Sequence, residues 1–517
     1  MNPTGDAVSR TVAAGAATLD DRFERRMKTL GLFGGPAVAL AVYAANPGGH
    51  AAEGRRLLAV LALTIAYWVT EAIPLPATAL LASALCVILG VAPAKTVLAP
   101  YADPVIFLFV GSFLLAEAFK KYGLDRRVAA RLLGRGRFAR TPPGRLLGIG
   151  ASSALVSTCL SNTATAALMT PIAVGAVTGT GESPSSRRNG PPSAWTSGML
   201  LMVAYGASVG GMATLIGTPP NLLVAGFLER LTGTKVGFVD WLLFGAPIAT
   251  VLFFASLFWT WFALVRAPSG GARPAPDASP AIASPPVPSG TIGGARLTIA
   301  AFGLAALLWT APAIAALVYG AESSQAGTLA AHLPESAVAI LCAALLFLAP
   351  TDWRRRRFAL TWDDGRQVNW GIILLFGGGL SLGTLADSTG VAAWIGRGLS
   401  SIGLARSDAG LLFCSVALTI VVSEFASNTA ACGLLVPMVI AAAHASGLDP
   451  IRPALGVGLA ATCGFIFPVS TPPNAIVFGT GLVPLQRMIR VGALLDLTAL
   501  GVVWGGLLLL EPWLPGR

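Results

Sequence analysis

Apolar residues run along this chain in long blocks, separated by short loops where Arg, Lys, Gly and Pro collect. A membrane-crossing helix needs about 20 predominantly apolar residues. Candidate spans fall at about 29–47, 57–70, 73–94, 104–119, 241–265, 297–321, 336–350, 368–386 and 491–510. Four further blocks do not fit that template: 146–178 and 409–443, of 33 and 35 residues, and 197–229 and 451–483, of 33 each. A continuous 33-residue helix would be about 50 Å long against a hydrocarbon layer of about 30 Å, and two full crossings would need about 40 residues and a turn. Each block is too long for one crossing and too short for two.

The polar centre of each block accounts for its length. Residues 157–163 read Ser-Thr-Cys-Leu-Ser-Asn-Thr and 423–429 read Ser-Glu-Phe-Ala-Ser-Asn-Thr; 217–221 read Gly-Thr-Pro-Pro-Asn and 470–474 read Ser-Thr-Pro-Pro-Asn. Ser, Thr and Asn favour helix N-caps and Pro favours the first helical position, so each cluster ends one half-helix and starts another. Interrupted backbone at membrane depth is tolerated only where protein or a wet cavity surrounds it. The pattern predicts re-entrant hairpins at 146–178 and 409–443 and broken spanning helices at 197–229 and 451–483, giving eleven spans and two hairpins.

These signals occur twice. Ser161-Asn162-Thr163 returns 266 positions later as Ser427-Asn428-Thr429, each with a Pro ten residues after the Ser (Pro171, Pro437). Gly111 and Gly123 have counterparts in Gly378 and Gly390, and Thr218-Pro219-Pro220-Asn221 returns 253 positions later at Thr471. A polar insertion at 179–192 in the first copy explains the shortfall. Paired helix interruptions in two halves point to a transporter built from structural repeats. The Pro-, Ser- and Gly-rich stretch 268–296 reads as a flexible linker between the halves.

Composition narrows the class. Charged residues make up 11% of the 517, against roughly 25% in soluble domains. The AVILMFWYC set reaches 54% and mean hydropathy is +0.72, which excludes a water-soluble enzyme and a disordered chain. The net charge of +11 would suit nucleic acid, but the basic residues sit in loops between apolar blocks, as membrane orientation requires, so no nucleic-acid partner is expected. With a cytoplasmic amino terminus, 26 of the 35 Lys and Arg face the cytoplasm and 9 the other side; the carboxyl terminus is then external and the two halves run in opposite senses. Residues 1–28 lack an apolar core, so no cleaved signal is expected. Segment 124–140 reads as a basic amphipathic surface helix and Arg354–Arg357 as an orientation signal. The six cysteines show no ligand spacing, and His50, His332 and His444 are scattered, so no metal cofactor or catalytic site is expected.

Four half-helix starts near mid-membrane offer unpaired N–H groups and partial positive charge, suited to a small dianion. Ser, Thr and Asn side chains add donors for carboxylate or sulfate oxygens, and their oxygens and freed carbonyls can hold a small hard cation. No Lys, Arg or His lies within ten residues of the first hairpin tip, so a dianion there needs co-bound cations as counter-charge. A lone Ser-Asn-Thr is more often an interhelical hydrogen bond, and a lone Thr-Pro-Pro-Asn a plain kink. Two copies of each in the same order favour a shared site. Glu424, where the first copy has Thr158, reads either as a coupling carboxylate or as a satisfied structural one.

The doubled Ser-Asn-Thr tips, each followed by a Thr-Pro-Pro-Asn break, resemble those of the divalent anion:sodium symporters, the sodium-coupled dicarboxylate, citrate and sulfate carriers. The likeness covers residues 30–511 and is especially close over Phe467-Pro468-Val469-Ser470-Thr471-Pro472-Pro473-Asn474-Ala475-Ile476-Val477. It implies an all-α polytopic inner-membrane homodimer with scaffold and transport domains working as an elevator. The domains would be a cytoplasmic tail (1–28), scaffold (29–145 and 297–407), transport domain (146–265 and 408–517) and cytoplasmic linker (266–296). It also implies a first sodium site at Ser157, Ser161, Asn162 and Gly217, and a second at Ser423, Ala426, Asn428 and Ser470, with Ala426 giving backbone only. Substrate would meet Asn162, Thr163, Thr218, Asn428, Thr429, Thr471 and Pro472. The expected activity is sodium-coupled import of a C4 dicarboxylate such as succinate, malate or fumarate. The alternatives are a sulfate or tricarboxylate symporter and a sodium-independent dicarboxylate exchanger. A membrane enzyme would need a nucleophile–base pair or carboxylate cluster at one interface, and a channel a pore-lining ring; neither pattern is present in the sequence.

Overall fold

Several helices begin where the sequence supplies a side-chain cap. Asp103 accepts from Val105 N (3.0 Å) to open Pro104–Lys121, Thr141 accepts from Gly144 N to open Pro142–Ser157, and Ser407 accepts from Gly410 N to open Asp408–Ser423. They end where a residue can turn left-handed: Gly123 (φ +59°) and its repeat counterpart Gly390 (φ +75°) close helices of the two halves. The computed structural model describes residues 26–124, 127, 141–178, 192–265, 292–320, 323–400 and 406–516. Among these, strand is confined to a two-stranded ribbon, Pro350–Asp352 with Arg357–Phe358, which carries the arginine run in its turn. The expected amphipathic helix at 124–140 and the insertion at 179–192 fall almost wholly outside the described residues, as does most of the linker.

Among the described residues, seven helices are long and apolar enough to cross a membrane: Arg26–Ala45, Ala94–Lys121, Phe238–Leu264, Gly293–Tyr319, Trp370–Ser388, Asn428–Ser446 and Leu485–Leu509. The bent pair Ser324–His332 and Glu335–Leu348 makes up to eight. The sequence led to an expectation of eleven spans; the remaining expected crossings fall on helices that are shorter or more charged, such as Ala52–Thr70, Leu75–Ile88 and the halves of the interrupted blocks. One boundary differs plainly. The linker was expected to reach 296, yet helix begins at Ile292. A Cβ on Gly294 would lie 2.0 Å from the Tyr122 ring, so this glycine admits a neighbouring aromatic rather than loosening the chain.

The chain forms two units, residues 1–101 with 374–394, and 102–373 with 395–517. Within the first, Ser381 donates to Val97 O (2.7 Å), and the Ser83 and Tyr101 hydroxyls bond at 2.9 Å. The second unit holds all four interrupted blocks. The interruptions stand where the polar clusters predict: Pro142–Ser157 then Asn162–Thr178, Asp408–Ser423 then Asn428–Ser446, Ala194–Met212 then Pro219–Thr232, and Ile451–Ala460 then Pro472–Gly479.

Packing repeats as well. Pro142–Ser157 lies along Ala194–Met212, and its counterpart Asp408–Ser423 lies along Ile451–Ala460. In the first half the approach is backbone to backbone: a Cβ on Gly210 would lie 2.2 Å from Ala154 O. The later half-helices cross between repeats. Pro219–Thr232 packs on Asn428–Ser446, and Pro472–Gly479 packs on Asn162–Thr178. Cys432 Sγ donates to Pro220 O (3.4 Å) across the first of these contacts. This exchange packs a later half-helix of each repeat on the other repeat.

Candidate functional site

Each Ser-Asn-Thr interruption is bridged by one serine and one asparagine. Ser157, at the end of Pro142–Ser157, lies with its Oγ 2.9 Å from Asn162 Oδ1, the first residue of the next helix. Ser423 and Asn428 repeat this at 3.1 Å. Both serines are fully buried. A second acceptor lies beside each hydroxyl: Leu160 O at 3.5 Å from Ser157 Oγ, and Ala461 O at 2.7 Å from Ser423 Oγ. One hydroxyl proton shared between two acceptors bonds each more weakly than it would bond one alone. Each tip therefore holds more acceptor oxygen than its own donors satisfy, the condition a small hard cation relieves.

The breaks close against these tips. In the first half a Cβ on Gly211 would lie 2.1 Å from Asn162 Oδ1, and one on Gly217 would lie 2.6 Å from Gly211 O. Ser157, Asn162 and Gly217, predicted to share the first cation site, are thus brought together around Gly211, and Thr214 Oγ1 donates to Thr158 O (2.7 Å) to pin the break to the tip. In the second half Gly464 stands between Ser423 and Ser470, with its Cβ position 3.1 Å from Ser470 Cβ and 3.2 Å from Ser423 O. Ser470 bonds both the carbonyl and the carboxylate of Glu424. Glu424, 3% exposed, also accepts from Ile466 N (3.0 Å) and Phe467 N (3.2 Å). These bonds tie the Glu424 carboxylate to the second break.

The predicted caps occupy the N-cap positions, but only two of the four side chains cap. Ser161 Oγ accepts from Ala164 N (3.3 Å) and Thr471 Oγ1 from Asn474 N (3.3 Å). Ser427 and Thr218 make no side-chain cap bond. One hydroxyl in each half therefore caps its own helix and the other does not.

The two predicted sets share Asn162 and Asn428 and overlap in burial, with Ser161 of the cation set half-buried. Ser157, Asn162, Ser423, Ala426 and Ser470 are buried, and so is Gly217. Among the residues expected to meet substrate, Thr163 and Pro472 are exposed, Asn428 and Thr429 are half-buried, and Thr218 and Thr471 lie beneath them, buried. The sequence reading overlooked Gly211, which only the three-dimensional approach of Asn162 reveals. It also assigned nothing to Asn221 and Asn474, although their recurrence at the 253-residue offset was a visible signal.

Comparison with known proteins follows the same lines. The family described as "Sodium:sulfate symporter transmembrane region" matches residues 36–513. A sodium-dependent dicarboxylate transporter of Staphylococcus saprophyticus is 29% identical over 482 residues, covering 92% of this chain and 89% of that protein. One of Staphylococcus aureus is 28% identical over 443 residues, covering 85% and 82%. Among solved structures, the Alcanivorax borkumensis YdaH transporter is similar in fold, with a TM-score of 0.54 and 14% identity over 81% of this chain and 88% of that one. With interrupted helices in two matching copies, several apolar helices able to cross a bilayer, and a family match over nearly its whole length, this multi-pass membrane protein is a transporter rather than an enzyme and belongs to the divalent anion:sodium symporter family.

Proposed function

We propose that the chain is a sodium-coupled symporter that imports a C4 dicarboxylate such as succinate, malate or fumarate. The observation that carries this reading is the doubled surplus of acceptor oxygen at Ser157 and Ser423. Two sodium ions held there would offset the two charges of the substrate, at a site whose first tip has no basic side chain nearby. Ser157, Ser161, Asn162 and Gly217 would hold one ion, and Ser423, Ala426, Asn428 and Ser470 the other. The dianion would rest above them on Asn162, Thr163, Thr218, Asn428, Thr429, Thr471 and Pro472, facing half-helix N-termini. The names of the staphylococcal relatives support a dicarboxylate; the family description keeps sulfate as the second reading.

In this reading 146–178 and 409–443 are re-entrant hairpins, the amino terminus is cytoplasmic and the carboxyl terminus external. The interrupted blocks of the two halves move together as the transport domain of an elevator, within a homodimer in the cytoplasmic membrane. The cross-packing of half-helices between repeats supports a single moving body for the site, because neither half could shift without the other. Counterflow in proteoliposomes, with succinate, citrate and sulfate offered separately with and without sodium, tests the proposal. Succinate exchange that requires sodium is expected. Succinate flux indifferent to sodium would overturn the coupling, and sulfate preferred over succinate would overturn the substrate.

A further inference from the structure

Both breaks are tied by the same knot. In the first, Asn221 Nδ2 donates to Gly211 O (2.9 Å) and to Thr214 O (2.8 Å), and Thr214 O also accepts from Gly217 N (3.2 Å). In the second, Asn474 Nδ2 donates to Gly464 O (3.1 Å) and to Phe467 O (3.0 Å), and Phe467 O also accepts from Ser470 N (3.3 Å). Every partner in one knot is displaced by 253 positions from its partner in the other. Both asparagines are fully buried.

The knot does what a helix would otherwise do for its own carbonyls. Unwound backbone inside protein leaves peptide oxygens without partners, and each must be satisfied for the segment to keep one shape. An asparagine amide two residues into the half-helix (after Pro219-Pro220, and again after Pro472-Pro473) reaches back across the break and satisfies two of them at once. The residues held inside each loop are those expected to face the cations: Gly217 lies between Thr214 and Asn221, and Ser470 between Phe467 and Asn474. Both N–H groups of each amide are committed to the loop, so neither asparagine can donate to the dianion. The sequence around the knots differs (Thr214 against Phe467, Gly217 against Ser470), yet the asparagine and its two carbonyls are the same.

We propose that Asn221 and Asn474 are positioning residues of the two cation sites: each fixes its break in the shape that presents Gly217 or Ser470 to the ion. This rests on the sodium-coupled reading above. A ligand cage is useful only when its oxygens are held to within a fraction of an ångström, so loosening the loop lowers ion affinity before it unfolds the protein.

The test compares Asn221→Asp and Asn474→Asp, isosteric changes that remove both donors, with wild type in proteoliposomes. Each variant is expected to raise the sodium KM at least tenfold, while the maximal succinate rate returns to near the wild-type value at saturating sodium. Protection of each variant against thermal unfolding by sodium, measured in detergent without transport, is expected to need correspondingly more ion. An unchanged sodium KM, or a rate loss that no sodium concentration relieves, overturns the proposal. Should an Asp variant not assemble, Asn→Ser replaces it, because its hydroxyl reaches one carbonyl at most. Failure of that variant to assemble assigns the asparagines to folding alone and overturns the proposal too. Wild-type flux indifferent to sodium would instead sink the coupling itself, a different result from any of these.

Discussion

Ser157 Oγ lies 2.9 Å from Asn162 Oδ1 across the first tip, and the same pair of residue types, Ser423 and Asn428, meets at 3.1 Å across the second. In each pair the serine hydroxyl donates to the amide oxygen with a further carbonyl beside it, a small nest of oxygens of the kind proposed above to hold a cation. Removing either hydroxyl by Ser157→Ala or Ser423→Ala takes one ligand from one nest and leaves the other whole. Loss of one such contact is worth about 1–3 kcal/mol, or roughly five- to hundredfold in affinity. Each variant is expected to raise the sodium KM within that range with a smaller change in the maximal rate, measured as succinate uptake against sodium concentration. A sodium KM unchanged in both variants would remove these serines from the cation path.

The two halves differ in how much room the break leaves. At Gly211 an added Cβ falls 2.1 Å from Asn162 Oδ1, whereas at Gly464 the nearest atoms are 3.1–3.4 Å away. Gly211→Ala must push Asn162 out of its nest, and uptake is expected to fall by two orders of magnitude or more while the protein still assembles. Gly464→Ala needs shifts of a few tenths of an ångström and is expected to keep a substantial fraction of wild-type uptake. Equal losses in both would show that Asn162 is not the contact that matters.

Thr218 and Thr471 stand at equivalent places, but only Thr471 caps its helix. Thr471→Val is expected to destabilise the protein by about 1 kcal/mol through the lost cap, read as a lower thermal midpoint. Thr218→Val loses no cap, so its thermal midpoint is expected to stay near wild type while the substrate KM rises. The opposite assignment of the two effects would mean that Thr218 does not face the ligand.

The interruptions, the repeat and the cap positions were legible because Ser, Thr, Asn and Pro act on their own local backbone. A Thr-Pro-Pro-Asn run starts a helix wherever it stands. Which caps are made was not legible, since Ser161 and Ser427 stand in the same Ser-Asn-Thr motif yet only Ser161 caps its helix. Gly211 was invisible for the same reason: its meaning lies in Asn162, far away along the chain. Gly294 misled because composition cannot tell a glycine that frees a linker from one that seats the Tyr122 ring.

Outside the spans, Asp364 accepts from Lys121 Nζ (2.7 Å) and from Thr361 N and Oγ1 (2.7 and 2.8 Å). Burial pushes its carboxyl up, but the bonds from Lys121 and Thr361 outweigh it and hold the group below the usual aspartate range. A lowered folded value means the contribution is complete above the unfolded aspartate pKa, about 3.9, and is lost as pH falls below it. Asp364→Asn is expected to lower the thermal midpoint slightly at neutral pH and to match wild type in strong acid. A difference that persists unchanged into acid would contradict the ion pair as its source.

Arg452 gathers three carboxylates in the same unit. The residue is 8% exposed, and its guanidinium lies 3.4 Å from Asp408, 3.4 Å from Asp449 and 3.3 Å from Glu511. Those carboxylates belong to the start of Asp408–Ser423, the turn before Ile451–Ala460 and the segment after Leu485–Leu509, so one side chain fastens three elements that frame the second half of the site. Arg452→Gln removes the cation and leaves three carboxylates facing each other, partly open to water, at a cost of about 1–3 kcal/mol. Arg452→Lys keeps the charge but cannot fork toward three partners, so it is expected to recover only part of that loss. Because Arg452 touches neither tip, the sodium KM of whatever protein remains folded is expected to stay unchanged. Thermal unfolding and sodium titration on the same preparations separate the two quantities, and a raised sodium KM at unchanged stability would place Arg452 in the transport pathway instead of the frame.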